Sequence, residues 1–158
     1  MLRFNGAGRG GFMNVLELCD REISAVPLDA SVADAIRMML ELHVGAVSVV
    51  DEKRRVAGIF TERDVLQKVV LSGRPPANIP VRDVMTTPVE LATLDTGAGE
   101  ALSTMVEQHY RHLPIVDDEG KLLGMLSIRH LLQWRVDDLT RELDALEQYT
   151  SSDGIGGD

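Results

Sequence analysis

Two places in this sequence gather side chains suited to holding a small polar ligand. In the first, Thr61 and Asp64 stand three apart where a helical segment opens, so both project to one side of its first turn. A carboxylate so placed can accept hydrogen bonds from two neighbouring hydroxyls. The helix N-terminus adds unpaired N–H groups and a partial positive charge, which suit an anion. A structural reading is equally available, with Thr61 as N-cap and Asp64 favouring the helix dipole. In the second place, Arg111 and His112 stand directly before the apolar run Leu113-Pro114-Ile115-Val116; separately, Ser127, Arg129 and His130 stand where a later helix opens. Arg63 occupies the first turn of the first helix as Arg129 does that of the second. A solvated surface position is the competing reading for each arginine.

These residues are positioned by a duplicated unit. Residues 15–66 align without a gap on 81–132 at one fixed offset of 66 residues. Val15 falls on Val81, Ala35 on Ala101, Met39 on Met105, His43 on His109, Gly58 on Gly124 and Arg63 on Arg129. Chance rarely holds such a register, so the chain reads as two copies of one structural unit. In the first copy, Ala35, Ile36, Met39, Leu40 and Val44 form a helical face over 34–44, opened by a capping box of Ser31 and Asp34. The run 46–50 is β-branched and predicts a buried strand, 51–54 a polar turn, 56–60 a second strand, and 61–70 a second helix. The second copy predicts a helix at 100–109, strands at 112–116 and 122–126, and a helix from 128. The order is strand, helix, strand, strand, helix. The fold class is therefore α+β, two tandem β-α-β-β-α units whose sheets pack together as a pseudo-twofold pair, with a C-terminal helix. Unit 1 spans 14–72, a linker 73–80, unit 2 81–134, and a helical extension 135–150. Residues 1–13 read as a flexible segment and 151–158 as a disordered tail.

Composition narrows the function. The 158 residues carry a net charge of −9, which repels phosphate backbones and anionic lipid surfaces, so nucleic acid and membrane are not expected partners. A small basic pocket for one phosphate can still sit within an acidic chain. Cys19 is the single cysteine, so neither an internal disulfide nor a cysteine zinc site can form, and no metal is expected. No apolar run approaches the roughly 20 residues that span a bilayer. The chain reads as cytoplasmic. The glycines at 6, 8, 10 and 11 mimic a phosphate loop but lack its preceding strand and its spacing.

Two stretches, HVGAVSVVDEKRRVAGIFTERDVL (43–66) and YRHLPIVDDEGKLLGMLSIRHLL (110–132), the latter preceded by VMTTPVEL (84–91), resemble the cystathionine-β-synthase (CBS) domain family. The resemblance covers about residues 14–134 and is to small free-standing bacterial CBS pairs. It implies a regulatory sensor, not an enzyme, that binds an adenine nucleotide between the two units. AMP is the leading ligand, with ATP, ADP, NAD(H) or S-adenosylmethionine as alternatives, and no cofactor is required. It assigns Asp64 to the ribose, Thr61 to the ribose or phosphate, and Arg111 and His112 to phosphate, with Arg63 and Arg129 as further phosphate candidates. By the repeat, Thr86 and Thr87 start the first strand of the second copy and line the Asp64 site. The second copy departs from the pattern. Ser127 matches Thr61, but His130 stands where an aspartate is expected, and a neutral imidazole accepts only one hydrogen bond.

Leu132, Val136, Leu139, Leu143 and Leu146 form a heptad stripe along the last helix. It packs either on its own domain or on a second copy, and the second option implies a homodimer. A sensor would signal to a protein target that the sequence does not name. The competing functions are a structural homodimer without ligand and an enzyme. Against the latter, no nucleophile, base and orienting group assemble from the sequence.

Overall fold

A computed structural model describes residues 13–19 and 23–152. The glycine-rich segment at 6–11 and most of both expected flexible ends lie outside these residues. The chain forms two three-stranded sheets of identical order. In the first copy, α1 (Val15–Leu18) leads to β1 (Ala25–Pro27), α2 (Val32–Glu41), β2 (Ala46–Val50) and β3 (Val56–Thr61). The helix α3 (Glu62–Asp64) runs on through a π turn at Val65–Val69 and a 3-10 turn at Val70–Ser72. The second copy supplies β4 (Ala92–Thr93), α4 (Ala98–Gln108), β5 (His112–Val116), β6 (Leu122–Ser127) and the 25-residue α5 (Ile128–Ser152). In each sheet the first strand pairs parallel with the second, and the second antiparallel with the third. The repeat extends to the irregularities, since a register shift at Val49/Val50 recurs at Ile115/Val116.

The elements form for local reasons. Ser31 caps α2 through the predicted box, its hydroxyl accepting from the Asp34 N–H. Ala35 and Met39 bury one face of that helix, and Ala101 and Met105 do the same on α4. His43 and His109 leave their helices in the left-handed region, with φ of 54° and 59°. Gly73, at φ 66°, ends the helical run that began at α3, and the chain then passes Pro75 and Pro76. The β-branched run of β2 is buried on both faces.

Each copy lends its opening segment to the other's core. Val15 and Cys19 pack with Ala101, Met105, Leu113, Leu126 and Leu131 of the second copy. Ile79 and Val81 pack with Val32, Val47, Val49 and Phe60 of the first. Burying a large apolar side chain contributes about 1.5–3 kcal/mol, so this exchange binds the two copies strongly. Backbone bonds reinforce it. The Val32 N–H donates to Ile79 O and the Val81 N–H to Ala30 O, both at 2.8 Å. Where the sheets meet, the Val56 N–H donates to Gly120 O and the Leu122 N–H to Arg54 O, both at 3.1 Å.

One expectation is corrected. Thr86 and Thr87 do not start a strand of the second sheet, whose first strand is only Ala92–Thr93. Thr86 instead forms a two-bond bridge with Ile59 of β3, at 2.8 and 3.1 Å. Gly58 permits this approach, because a Cβ there would meet Met85 Sδ at 2.6 Å and Thr86 O at 3.0 Å. Pro88 follows immediately and offers no N–H for a ladder.

Candidate functional site

The predicted residues fall in two places. The first is a saturated cluster around Asp64, which is 3% exposed. The Thr61 N–H and hydroxyl both donate to Asp64 Oδ2, at 3.0 and 3.1 Å, while the Asp64 N–H donates back to Thr61 Oγ1. This is a complete capping box. The Thr86 hydroxyl donates to Asp64 Oδ1 at 2.9 Å, and Lys68 Nζ pairs with the same oxygen at 2.8 Å. Lys68 also donates to Val84 O at 3.0 Å and lies 3.4 Å from Thr86 Oγ1. The ammonium thus ties the helical run of the first copy to the segment that enters the second. Thr87 turns elsewhere, donating to Ala57 O. Arg63 is exposed and belongs to neither place.

The second place is a cavity of about 860 Å³ between the copies. Ile36, Met39, Leu40, Val44 and Val65 of the first copy form an apolar wall. Facing them are Arg111, His112, Ser127, Arg129 and His130 of the second. Thr61, Asp64 and Thr86 are not among its lining residues. The architecture explains the gathering. β5 and β6 pair His112 with Ser127, which sets the entrance of one strand beside the exit of the next. The first turn of α5 then carries Arg129 and His130 to the same edge.

Ser127 and His130 rebuild the capping box without a carboxylate. The His130 N–H donates to Ser127 Oγ at 3.3 Å, and the Ser127 N–H donates to His130 Nδ1 at 3.3 Å. A backbone N–H can only donate, so Nδ1 is the acceptor of this contact. The Ser127 hydroxyl lies 2.9 Å from the same Nδ1. His130 therefore serves the helix end as Asp64 does in the first copy. His112 is neutral near pH 7. Burial, then the neighbouring Arg111 and His130, push its pKa down to about 4. Gly45 stands opposite, and a Cβ there would lie 3.2 Å from Glu62 Oε2 and 3.4 Å from His112 Cε1.

Sequence reasoning missed Lys68, Glu62 and Gly45. Lys68 had a signal, since it follows Asp64 at the i,i+4 spacing of helical ion pairs. Glu62 had none beyond its place at the helix start. Among the described residues no helix is long and apolar enough to cross a membrane. Among the same residues no three His, Cys, Asp or Glu side chains are grouped to hold a metal ion.

Comparison with known proteins fits this architecture. The sequence is 39% identical over 122 residues to protein MK0525 of Methanopyrus kandleri, covering 77% of this chain and 62% of that one. The chain thus spans less than two thirds of that relative's length. The solved structure of the CBS domain protein NE2398 superposes with a TM-score of 0.72 at 31% identity, covering 78% of this chain and 98% of that one. CBSX2, solved in complex with AMP, has the same fold, with a TM-score of 0.66 at 24% identity over 78% of this chain and 96% of its own. The family model of the CBS domain matches twice, at residues 15–71 and 81–137. Its two matches coincide with the two copies found by the internal repeat, and the chain belongs to the CBS domain family as a tandem pair.

Proposed function

We propose that this chain is a regulatory module that binds an adenine nucleotide, AMP foremost, in the cavity between its two copies. The observation that carries this reading is a local inversion of charge. A chain of net charge −9 places two guanidinium groups, Arg111 and Arg129, on one cavity wall beside His112 and His130. Among the described residues, neither Arg111 nor Arg129 has an ion-pair partner. Unpaired guanidinium groups beside a cavity are suited to a phosphate, and the apolar wall opposite suits a flat base. The volume lies in the range of small-molecule sites. AMP in the related CBSX2 fold supports the choice of ligand. The cluster at Thr61, Asp64 and Thr86, proposed from resemblance as the ribose site, is closed by Lys68. A diol reaches that carboxylate only if the ammonium and the Thr86 hydroxyl give way.

The cavity walls come from different copies, so a ligand that touches both shifts the equilibrium between their arrangements. A protein target reads that shift. The molecule that carries it is a homodimer. Val136, Leu139, Leu143 and Leu146 remain exposed on α5 in the single chain, while Leu131 and Trp134 at its start pack inward. A heptad stripe of this kind fits a second copy of itself.

A second reading, a structural homodimer without ligand, is favoured by the saturation of Asp64 and by His130 in place of its counterpart. A thermal-shift titration separates the two. AMP at 100 times its Kd stabilises a one-site protein by about 2.7 kcal/mol and raises the melting temperature. An unchanged melting temperature with AMP, ADP, ATP, NAD and S-adenosylmethionine at millimolar concentration rejects the sensor in favour of the scaffold.

A further inference from the structure

The last helix outruns the CBS domain. The second family match ends at residue 137, yet α5 continues to Ser152. Its stripe of Leu132, Val136, Leu139, Leu143 and Leu146 is at least 41% exposed at every position. One turn before Leu132, the same face carries Arg129, which lines the cavity between the copies. The stripe therefore starts at the cavity rim and runs outward from it. The residues flanking it carry charge. Arg135 and Glu142 each precede the first apolar residue of a heptad, and Glu147 follows the second apolar residue, Leu146.

These flanks decide between the ways two such helices can pair, because flanking charges set orientation. In a parallel, in-register pair, Glu142 of each copy faces Glu147 of the other, a repulsion on both sides. In an antiparallel pair, the residues that precede the heptads face each other. Arg135 then meets Glu142 of the second copy twice, when Val136 sits on Leu139 and Leu132 on Leu143. Sliding the antiparallel pair so that Leu139 sits on Leu143 brings the two Glu142 side chains together instead. Among the described residues Glu142 has no ion pair of its own. Arg135 pairs with Asp138 at an exposed site and can turn to a second carboxylate.

Resting on the homodimer proposed above, we infer that the α5 helices of two copies pair antiparallel in the Arg135–Glu142 register, so that the far end of each helix borders the other copy's cavity. In that register Leu146 of the second copy lies on the aliphatic stem of Arg129, whose guanidinium remains at the cavity. Each cavity is thus edged by both chains. A ligand that moves Arg129 changes the affinity of the two copies for each other, and dimerisation changes ligand affinity by the same factor.

Two measurements on the full chain test the pairing. Sedimentation equilibrium compares wild type, Glu142→Arg, and Arg135→Glu combined with Glu142→Arg. Glu142→Arg sets like charges together in the antiparallel register and is expected to weaken the dimer about threefold or more, and the double exchange to restore it. A parallel pair predicts the opposite sign for Glu142→Arg, which would then face Glu147. Co-expressed Val136→Cys and Leu139→Cys chains are expected to form a disulfide between them under mild oxidation, in preference to either variant with itself. A dimer strengthened or unchanged by Glu142→Arg, or Val136→Cys chains that cross-link best with themselves, overturns the antiparallel register and leaves the homodimer intact. Wild type that sediments as a monomer overturns both.

Discussion

Replacing Asp64 by asparagine probes the buried cluster that ties the copies together. The substitution keeps the shape of the side chain and removes its charge. Oriented with its oxygen toward the Thr61 N–H, the amide preserves the cap and turns its NH₂ toward Lys68. The Lys68 contact at 2.8 Å is then lost, and the Thr86 hydroxyl must rotate to accept instead of donate. A hydrogen bond to a charged group contributes about 1.5–3 kcal/mol. Lys68 retains 38% side-chain exposure and can turn to water, which places the cost well below that of stranding a buried charge. The expected loss for Asp64→Asn is about 2 kcal/mol. Asp64→Ala also removes the capping-box acceptor and costs about 1 kcal/mol more. Urea denaturation measures both as a lower midpoint at unchanged slope. A double-mutant cycle with Lys68→Met isolates the pair and is expected to give a coupling of about 1 kcal/mol. A loss below about 0.5 kcal/mol for Asp64→Asn would refute the argument, since that is the scale of an ordinary surface substitution. The same variant divides the two ligand loci. AMP affinity within about threefold of wild type agrees with a ligand held on the Arg111 wall, and a loss of tenfold or more places the ribose at Asp64.

Other expectations follow from the same geometry. His112 titrates near 6.5 when unfolded and near 4 when folded, so stability is full above pH 6.5 and declines as pH falls toward 4. The decline is at most about 3 kcal/mol, and His112→Asn flattens it in acid titrations followed by circular dichroism. Gly58→Ala drives a methyl into Met85 and the Thr86 carbonyl and is expected to cost about 1–3 kcal/mol in thermal melts. Leu139→Glu with Leu143→Glu shifts sedimentation toward the monomer while leaving the far-ultraviolet spectrum unchanged, and a dimer that persists places its interface elsewhere.

Much of the fold was legible because it is local and repeated. The β-branched run at 46–50 became β2, the capping box at Ser31/Asp34 formed as its spacing implied, and Thr61 caps its helix with Asp64 completing a second box. The exchange of opening segments was not legible. Val15 and Val81 align as equivalents, but spacing does not reveal that each packs on the opposite copy. At the site, Arg111 and His112 share a cavity with Ser127, Arg129 and His130, a grouping that spacing along the chain did not reveal. Asp64 does not line that cavity; it is held by its local partners Thr61 and Lys68 and by one partner distant in sequence, Thr86. His130, which breaks the acidic pattern of the first copy, keeps the helix end because one imidazole nitrogen replaces a carboxylate oxygen. The stripe on α5 was visible in spacing, and Val136, Leu139, Leu143 and Leu146 are exposed on that helix.

Calorimetric titration of AMP and adenosine into wild type and Arg111→Ala tests the central claim most directly. Wild type is expected to bind one AMP per chain. The variant is expected to bind AMP at least tenfold more weakly while its adenosine affinity is unchanged, as the loss of one charged phosphate contact requires. Absence of AMP binding to wild type, or an equal loss for both ligands in the variant, would contradict a phosphate held on the basic wall of this cleft.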